Sequence, residues 1–238
     1  MFILGTICCR AGSKGVKNKN TKLLCGKPLV SYTLETSMQC SILNEIIVST
    51  DSQEIAGIAH RAGIALVIDR PAELAQDDSS KWPVFIHAVE SFELARNAVV
   101  DYLVDMDATA PLKVKEDIEG AVRFALQHPE ADVVITAYDA ESNPYFNMME
   151  LNENNFAVLT KPWKNALVCR QDAPQVYSLS PAAFVIKKHA LYKYSHWSEA
   201  KCMLYIIPRE RAVDIDTEMD FKFVEFLMLQ KLAGAKER

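Results

Sequence analysis

Short apolar runs alternate with amphipathic segments between Phe2 and Asp139. Each run is bounded by polar or turn-forming residues, as is typical of buried strands, while the segments between them carry apolar residues at helical spacing. Strands that alternate with helices indicate βαβ units and a parallel sheet. The predicted strands read FILGTICC, EIIVST, ALVI, DYLVDMD and ADVVITA, and the pattern resumes after Ser180 with AAFVI and CMLYIIP.

Two apolar stripes and two capping signals predict helices. Pro28 occupies a position that the first turn of a helix tolerates, and Thr217 with Asp220 matches the start of a terminal helix. The apolar positions recur three and four residues apart, which places them on one helix face and in the core. One stripe consists of Val84, Phe85, Ala88, Val89, Phe92 and Ala95, and the other of Val114, Ile118, Ala121, Val122 and Ala125.

The pattern loosens between residues 139 and 180. Prolines and polar clusters interrupt this segment, but apolar pieces such as FNMMEL and FAVL predict hairpins or short strands. We therefore expect one domain over residues 1–238 with an insertion at 139–180. The pattern leaves two roles open for the insertion, which are to cover a site or to pair with a second subunit.

Composition excludes several classes of protein. The chain has 238 residues, a formal net charge of -5 and 50% hydrophobic residues, so we expect a full core and neither disorder nor a surface that binds nucleic acid. No apolar run is long enough to span a membrane, and MFILGTICC lacks the basic start of a signal peptide. We expect a cytoplasmic protein without a membrane partner. Its six cysteines lack zinc-ligand spacing and are interpreted as buried thiols.

Residues 9–28, called the basic loop, contain no Asp or Glu. The loop follows the first predicted strand and precedes a helix, so it lies at the edge where open α/β sheets bind ligands. Gly12 and Gly15 bracket a turn whose amides can face an anion. Pro28 breaks the Walker motif, and Arg10 stands where a dinucleotide fingerprint needs glycine. A lysine run is more often a solvated surface, but this placement favours a triphosphate. The cations are Arg10, Lys14, Lys17, Lys19, Lys22 and Lys27.

Paired carboxylates are candidates for a metal site. In the extended segment AVDID, side chains alternate, so Asp214 and Asp216 share one face while Val213 and Ile215 point into the core. Mg²⁺ prefers oxygen ligands and typically takes one or two protein carboxylates. The alternative is that Asp216 belongs to the start of the last helix and Asp214 is solvated.

Two further acidic positions follow predicted strands. Asp105 and Asp107 alternate at the end of DYLVDMD, where they could bind metal, position a sugar hydroxyl or cap the next loop. Asp51 follows EIIVST and is most simply interpreted as a cap for the next helix. Ser49 and Asp51 also face the same edge of the sheet as the basic loop.

Several motifs together resemble one family. They read CRAGSKGVKNKN, VSTDSQEIA, RPAELAQDDSS, DATAPLK, NPYFNMMEL, RQDAPQVYSL and DIDTEMDFKFVE, and they span nearly the whole chain in order. In these motifs the chain resembles the N-acylneuraminate cytidylyltransferases, also called CMP-sialic acid synthetases, and is most similar to the bacterial branch that activates legionaminic acid.

The resemblance implies a Rossmann-like, three-layer α/β/α nucleotidyltransferase fold with a small dimerisation insertion. It also implies a homodimer and a Mg²⁺-dependent reaction in which CTP and a nine-carbon α-keto acid sugar, a nonulosonic acid, give a CMP-sugar and pyrophosphate. Matched by position, it assigns catalysis to Arg10, Lys19, Asp214 and Asp216, nucleotide binding to Arg10, Ala11, Gly12, Ser13, Lys14, Asn20 and Arg70, sugar binding to Asp107 and Tyr177, and the metal to Asp214 and Asp216.

The chain departs from the family at two places. Many sialic acid enzymes read Gln-Pro-Thr-Ser-Pro where this chain has residues 107–111, so Asp107 replaces a sugar-contacting glutamine. After Tyr177 the legionaminate branch usually has an Asn-containing turn, whereas this chain has Ser180 and Pro181. Both departures leave the particular nonulosonic acid open.

The expected mechanism is in-line attack of the sugar's anomeric hydroxyl on the α-phosphorus of CTP. None of the five histidines lies in a convincing motif, so no general base is assigned. Two alternatives of the same fold are a CMP-Kdo-type synthetase and a non-catalytic CTP-binding homologue. An RNA-binding patch is the weakest reading, because no aromatic residues interleave with the lysines of the basic loop.

Overall fold

A computed structural model describes residues 1–13, 15–76, 79–163, 167 and 169–236. The strands are β1 (Ile3–Cys8), β2 (Leu23–Leu24), β3 (Lys27–Pro28), β4 (Glu45–Thr50), β5 (Leu66–Asp69), β6 (Tyr102–Asp105), β7 (Val133–Asp139), β8 (Met149–Leu151), β9 (Ala157–Leu159), β10 (Tyr177–Lys187) and β11 (Cys202–Ile206). The α-helices are α1 (Leu29–Met38), α2 (Gln53–Arg61), α3 (Lys81–Arg96), α4 (Lys115–Gln127), α5 (Lys188–Lys193) and α6 (Glu218–Lys236).

The seven strands predicted from the apolar runs form one sheet. Its order is β11-β7-β10-β6-β1-β4-β5. Neighbouring strands are parallel except where β10 pairs with β6 and β7. The mostly parallel sheet is therefore confirmed, and the carboxyl ends of β1, β4, β5 and β6 meet at one edge.

Helices cover both faces of the sheet, which confirms the three-layer architecture. Leu34 of α1, Ile58 of α2 and Ile118 of α4 belong to the core on one face. Phe92 of α3 and Leu191 of α5 belong to the core on the other face. These buried positions follow from the apolar stripes of the helices.

One member of the predicted α3 stripe is wrong. Ala95 is exposed, as is its neighbour Leu94 at 87%. The last turn of α3 therefore extends past the core, so the helical spacing continues there without a surface to pack on.

The terminal helix α6 packs against the basic loop. Phe221 and Val224 of α6 share a separate buried cluster with Val16 and Leu24 of the loop. The predicted start of the helix is confirmed, because Asp220 Oδ2 accepts from the Thr217 amide at 2.7 Å and Thr217 Oγ1 accepts from the Asp220 amide at 3.2 Å. Helix α6 thereby holds the loop against the body of the protein.

The segment between β7 and β10 contains an antiparallel hairpin of β8 and β9. Most of its apolar side chains are exposed. Its role as a dimerisation insertion stays a prediction. Among the described residues, no helix is long and apolar enough to cross a membrane.

Candidate active site

The basic loop is a fixed element of the fold. Val16 and Leu24 are fully buried and anchor it in the cluster with α6. Gly12 has a φ of 64°, the left-handed conformation that the predicted glycine turn requires. The Asn20 side-chain amide donates to the carbonyl oxygen of Arg10 at 3.1 Å and so ties the two ends of the turn together.

Gly15 and Lys19 bring the basic loop into contact with residues 213–216, called the carboxylate segment. A Cβ at position 15 would lie 2.0 Å from the carbonyl oxygen of Asp216, so the close approach requires glycine. Lys19 Nζ donates to the carbonyl oxygen of Ile215 at 2.5 Å and lies 3.5 Å from Asp216 Oδ1. Two features that are almost 200 residues apart in sequence therefore meet at one point.

Asp214 and Asp216 both line one cavity but differ in environment. Ile215 between them is fully buried, as the alternation predicts. The side chain of Asp216 is 75% exposed. Asp214 is largely buried, and its Oδ1 atom has no hydrogen-bond partner within the described part of the chain. Burial raises the pKa of the Asp214 carboxyl, although a side-chain hydrogen bond from Thr109 opposes the shift.

These two carboxylates fit a divalent cation. A buried carboxylate oxygen without a partner is costly unless something neutralises and coordinates it. Among the described residues, no group of three or more His, Cys, Asp and Glu side chains is arranged to hold a metal. Mg²⁺ does not need such a cage, because it commonly combines one or two carboxylates with water and substrate phosphates.

Lys81, which was not predicted from the sequence, forms ion pairs with Asp105 at the end of β6 and with Asp107 just after it. Its ammonium contacts Asp105 Oδ2 at 3.3 Å and also pairs with Asp107. Asp105 is 1% exposed and accepts a second hydrogen bond from Thr6. Burial would raise the pKa of Asp107, but the ammonium of Lys81 outweighs burial and lowers this pKa to about 2. Lys81 was missed because it opens α3, where a lysine reads as an ordinary surface residue.

A cavity of about 380 Å³ gathers most of the predicted nucleotide residues. It lies at the carboxyl edge of the sheet and is rimmed by both charge types. Its lining includes the predicted Arg10, Ser13, Lys19, Asn20, Arg70, Asp107 and Asp216, and also the unpredicted Gln76, Ser79, Lys81 and Thr109. Ala11 and Gly12 line a smaller adjoining cavity of about 80 Å³ together with Arg10 and Asn20. Lys14 lies outside the described residues.

Asp51 follows the end of β4, and Arg70 follows the end of β5. Arg70 is 6% exposed and is held by Ser49, whose carbonyl oxygen accepts from Nη2 at 2.7 Å. The interpretation of Asp51 as a helix cap is wrong, because Ser52 caps α2. Asp51 Oδ1 instead accepts from the Ala11 amide at 2.7 Å and fixes the start of the basic loop.

A second, larger cavity of about 750 Å³ adjoins the carboxylates. Asp216 lines both cavities, so it marks their boundary. The wall of the second cavity is part apolar and part charged, and consists of Tyr138, Leu179, Arg209, Glu210, Val213, Asp214, Asp216, Asp220, Phe223 and Leu227. Tyr177 is 40% exposed at the start of β10 and lines neither cavity.

Lys113 fixes the turn that follows Asp107. Its buried ammonium donates to Thr33 Oγ1 at 2.7 Å and to the carbonyl oxygens of Asp107 at 2.5 Å and Ala110 at 2.9 Å. Burial lowers the pKa of Lys113 to about 8. The same turn supports the carboxylate segment, because the carbonyl oxygen of Thr109 accepts from the Ile215 amide at 2.9 Å.

The cysteines are not arranged for nucleophilic chemistry. Burial raises the pKa of Cys9, which lines the first cavity, to about 12, and it also raises the pKa of Cys25 in the basic loop. Thiols with raised pKa values are poor nucleophiles at neutral pH. The interpretation of all six as buried is wrong for Cys169, which is exposed, and for Cys25 and Cys202, which are half-buried.

The fold and these cavities together define an α/β protein with a charged cavity at the carboxyl edge of its sheet, where open α/β sheets bind ligands. Comparison with known proteins specifies the class: residues 4–225 match the cytidylyltransferase family. The chain is 35% identical over 235 residues to a CMP-N,N'-diacetyllegionaminic acid synthase of Campylobacter jejuni, covering 99% of this chain and 98% of that relative. It is equally similar to post-translational flagellin modification protein B of Campylobacter coli, with the same coverage.

A solved structure has the same fold. The structure of CMP:2-keto-3-deoxy-manno-octonic acid synthetase complexed with CTP superposes with a TM-score of 0.67 over 97% of this chain and 100% of that chain, at 15% identity. At this identity the similarity shows the fold alone. From the family match and the relatives, the chain belongs to the cytidylyltransferase family and is a nucleotidyltransferase. Cytidylyltransferases of this kind are generally dependent on a divalent metal.

Proposed function

We propose that this enzyme transfers CMP from CTP to a nonulosonic acid of the legionaminate or sialate type and releases pyrophosphate, with Mg²⁺ as cofactor. The observation that carries the proposal is the meeting of Lys19 with Asp216, 3.5 Å apart, at the boundary of two cavities. Nucleotidyl transfer needs a cation on the phosphates and carboxylates for a metal at one point. The names of the relatives point to the acceptor class.

The first cavity is the proposed CTP site. Arg10 and Lys19 would bind the β- and γ-phosphates with the amides of the glycine turn, because charge-assisted hydrogen bonds hold phosphates strongly. Arg70, anchored by Ser49, would contact the rest of the nucleotide. Ala11, Gly12, Ser13, Lys14 and Asn20 complete the proposed nucleotide set.

The second cavity is the proposed acceptor site. An acceptor bound there lies across Asp216 from the nucleotide, so its hydroxyl can approach the α-phosphorus from the side away from the pyrophosphate. Asp107 and Tyr177 stay predicted sugar contacts. Asp107 faces the first cavity beside Lys81, whereas Tyr177 lies at the start of β10.

In the proposed reaction the anomeric oxygen of the acceptor attacks the α-phosphorus. The new oxygen–phosphorus bond forms as the bond to the bridging oxygen of pyrophosphate breaks, and the hydroxyl proton passes to solvent. Arg10 and Lys19 stabilise the charge that develops on pyrophosphate. Mg²⁺ held by Asp214 and Asp216 would polarise the α-phosphate and lower the pKa of the acceptor hydroxyl.

We also propose a homodimer formed through the hairpin of β8 and β9. Leu151 and Phe156 of this hairpin are 68% and 70% exposed, and Met149 is 54% exposed. An apolar patch of this kind is typical of a surface that pairs with another protein. The proposed location is the cytoplasm, which supplies CTP and keeps thiols such as the six free cysteines reduced.

The reaction can be tested with purified protein, Mg²⁺, CTP and a panel of legionaminic, pseudaminic, sialic and Kdo acids. Pyrophosphate release and the product mass are recorded for wild type and for Asp216→Asn. We expect a CMP-sugar from one nonulosonic acid and loss of turnover in Asp216→Asn.

Other outcomes would replace the proposal. A product formed only from Kdo would make the enzyme a CMP-Kdo-type synthetase, in line with the fold of its structural neighbour. Binding of CTP without any product would indicate a non-catalytic homologue. Full turnover by Asp216→Asn at limiting Mg²⁺ would remove Asp216 from the metal site.

A further inference from the structure

Lys81 places a positive charge between two carboxylates in the wall of the first cavity. Its ammonium lies 3.3 Å from Asp105 Oδ2 and pairs with Asp107. The side chain reaches there from the first residue of α3, across the carboxyl end of β6. Neither the phosphate contacts nor the metal carboxylates of the proposed function use this lysine.

The two carboxylates require a compensating cation. Asp105 is 1% and Asp107 17% exposed, so neither can rely on bulk water for its charge. Asp107 also shares the first cavity with Asp216, so an acid that follows β6 and a proposed metal carboxylate meet at one cavity.

The arrangement has the composition of a second cation site already filled by a side chain. Oxygen atoms from two carboxylates, one of them facing a phosphate-binding cavity, are the ligands that Mg²⁺ takes in phosphoryl-transfer sites. Here the ammonium of Lys81 occupies the space between them. Thr6 supplies a further hydrogen bond to Asp105 at 3.1 Å, which holds that carboxylate in place.

We propose that Lys81 is a built-in cation that stands in for a second divalent ion, so that the active site works with the single metal position of Asp214 and Asp216. Lys81 is a positioning residue: it keeps Asp107 ionised and neutralises its charge in the wall of the proposed triphosphate site. The inference rests on the proposed function only in taking Asp214 and Asp216 as the metal position.

The test counts Mn²⁺ bound per chain, by electron paramagnetic resonance at pH 8 without nucleotide. We expect Lys81→Ala to bind one Mn²⁺ more than wild type, because it opens the space between Asp105 and Asp107 and leaves both acids without their cation. Lys81→Arg keeps a cation there and should bind the wild-type number. Adding Asp107→Asn to Lys81→Ala should remove the extra ion.

The matched control is Lys115→Ala. Lys115 is also the first residue of a helix, α4, but it is exposed and lines neither cavity. The Lys115→Ala variant should bind the same number of Mn²⁺ ions as wild type. An equal count for Lys81→Ala and wild type overturns the inference, as does an extra ion that survives Asp107→Asn.

Failure of the proposed function gives a different result. If wild type binds no Mn²⁺ and Lys81→Ala binds one, the metal position at Asp214 and Asp216 is wrong while the role of Lys81 stands. If Lys81→Ala is too unstable for titration, its thermal unfolding carries the same information. Mn²⁺ should then raise its melting temperature more than that of Lys115→Ala, and an equal rise would contradict the inference.

Discussion

Asp214 and Asp216 show how two identical residues acquire different properties in one short segment. Asp216 is exposed beside Lys19, whereas Asp214 is largely buried, has a raised pKa and has one oxygen without a hydrogen-bond partner in the described part of the chain. Alternation along the chain predicts that both share a face. The difference between them arises from Thr109 and the turn after β6, which are distant in sequence.

At the residue scale, Lys19→Ala should reduce kcat/KM for CTP by roughly 10- to 100-fold, because a charge-assisted hydrogen bond contributes about 1.5–3 kcal/mol. The free energy of unfolding should change little, since a loop lysine adds little to the core. Steady-state kinetics and chemical denaturation measure the two effects. Lys17→Ala, exposed in the same loop, is the control. Equal kinetics for both variants would contradict the role of Lys19.

Gly15→Ala tests the contact between the basic loop and the carboxylate segment. The new Cβ would lie 2.0 Å from the carbonyl oxygen of Asp216, which is backbone and has little freedom to move. We expect destabilisation by about 1–3 kcal/mol, as for other overpacked sites, together with weaker CTP binding. In the control Gly57→Ala on α2, the Cβ meets the flexible end of Arg61. Normal CTP titration and stability in Gly15→Ala would show that the loop does not need this approach.

At the element scale, the site depends on how the sheet edge and its turns are fixed. Antiparallel β10 lies beside β6, and the turn after β6 carries Asp107, Thr109 and the acceptors of Lys113. The same turn supports the carboxylate segment, because the Ile215 amide donates a hydrogen bond to the carbonyl oxygen of Thr109. One buried lysine therefore fixes the turn that carries Asp107 and Thr109, two residues in the wall of the first cavity.

The lowered pKa of Lys113 gives a pH dependence of stability. An unfolded lysine keeps its proton up to about pH 10.5, whereas the native group releases it near pH 8. Between these values the unfolded state binds more protons, so the free energy of unfolding gains from rising pH. We expect wild type to gain stability relative to Lys113→Met between pH 8 and 10, measured by urea denaturation. A constant difference over this range would contradict the lowered pKa.

At the scale of the whole molecule, a large core lies on each face of the sheet, and a smaller cluster lies between the basic loop and α6. This cluster connects the two ends of the sequence and sets the distance from Lys19 to Asp216. The hairpin of β8 and β9 contributes exposed apolar side chains instead of core. It is therefore the part of the molecule that a second copy is expected to cover.

Phe156→Asp should shift the protein from dimer to monomer, because a charge in an apolar contact is costly to bury. Size-exclusion chromatography with light scattering gives the mass. Leu94→Asp is the control, since Leu94 is 87% exposed on α3, outside the hairpin. A wild-type monomer, or a Phe156→Asp dimer of unchanged stability, would rule out this interface.

Much of the fold follows from local pattern. The seven strands and the capped start of α6 were predicted because strand and cap signals lie within a few residues of one another. The end of the α3 stripe was wrong because exposure at Ala95 depends on where the core ends. Asp51 was misread for a similar reason, since its partner Ala11 is 40 residues away.

By itself, the sequence determined the βαβ order, the glycine turn among the lysines and the alternating carboxylates, because each is a short-range property of the chain. Tertiary structure alone decided that Lys19 meets Asp216, that an oxygen of Asp214 finds no hydrogen-bond partner among the described residues, and that Lys81 lies between Asp105 and Asp107. These contacts join strand ends and helix starts far apart in sequence. Their distances and burial arise from packing, which no local pattern encodes.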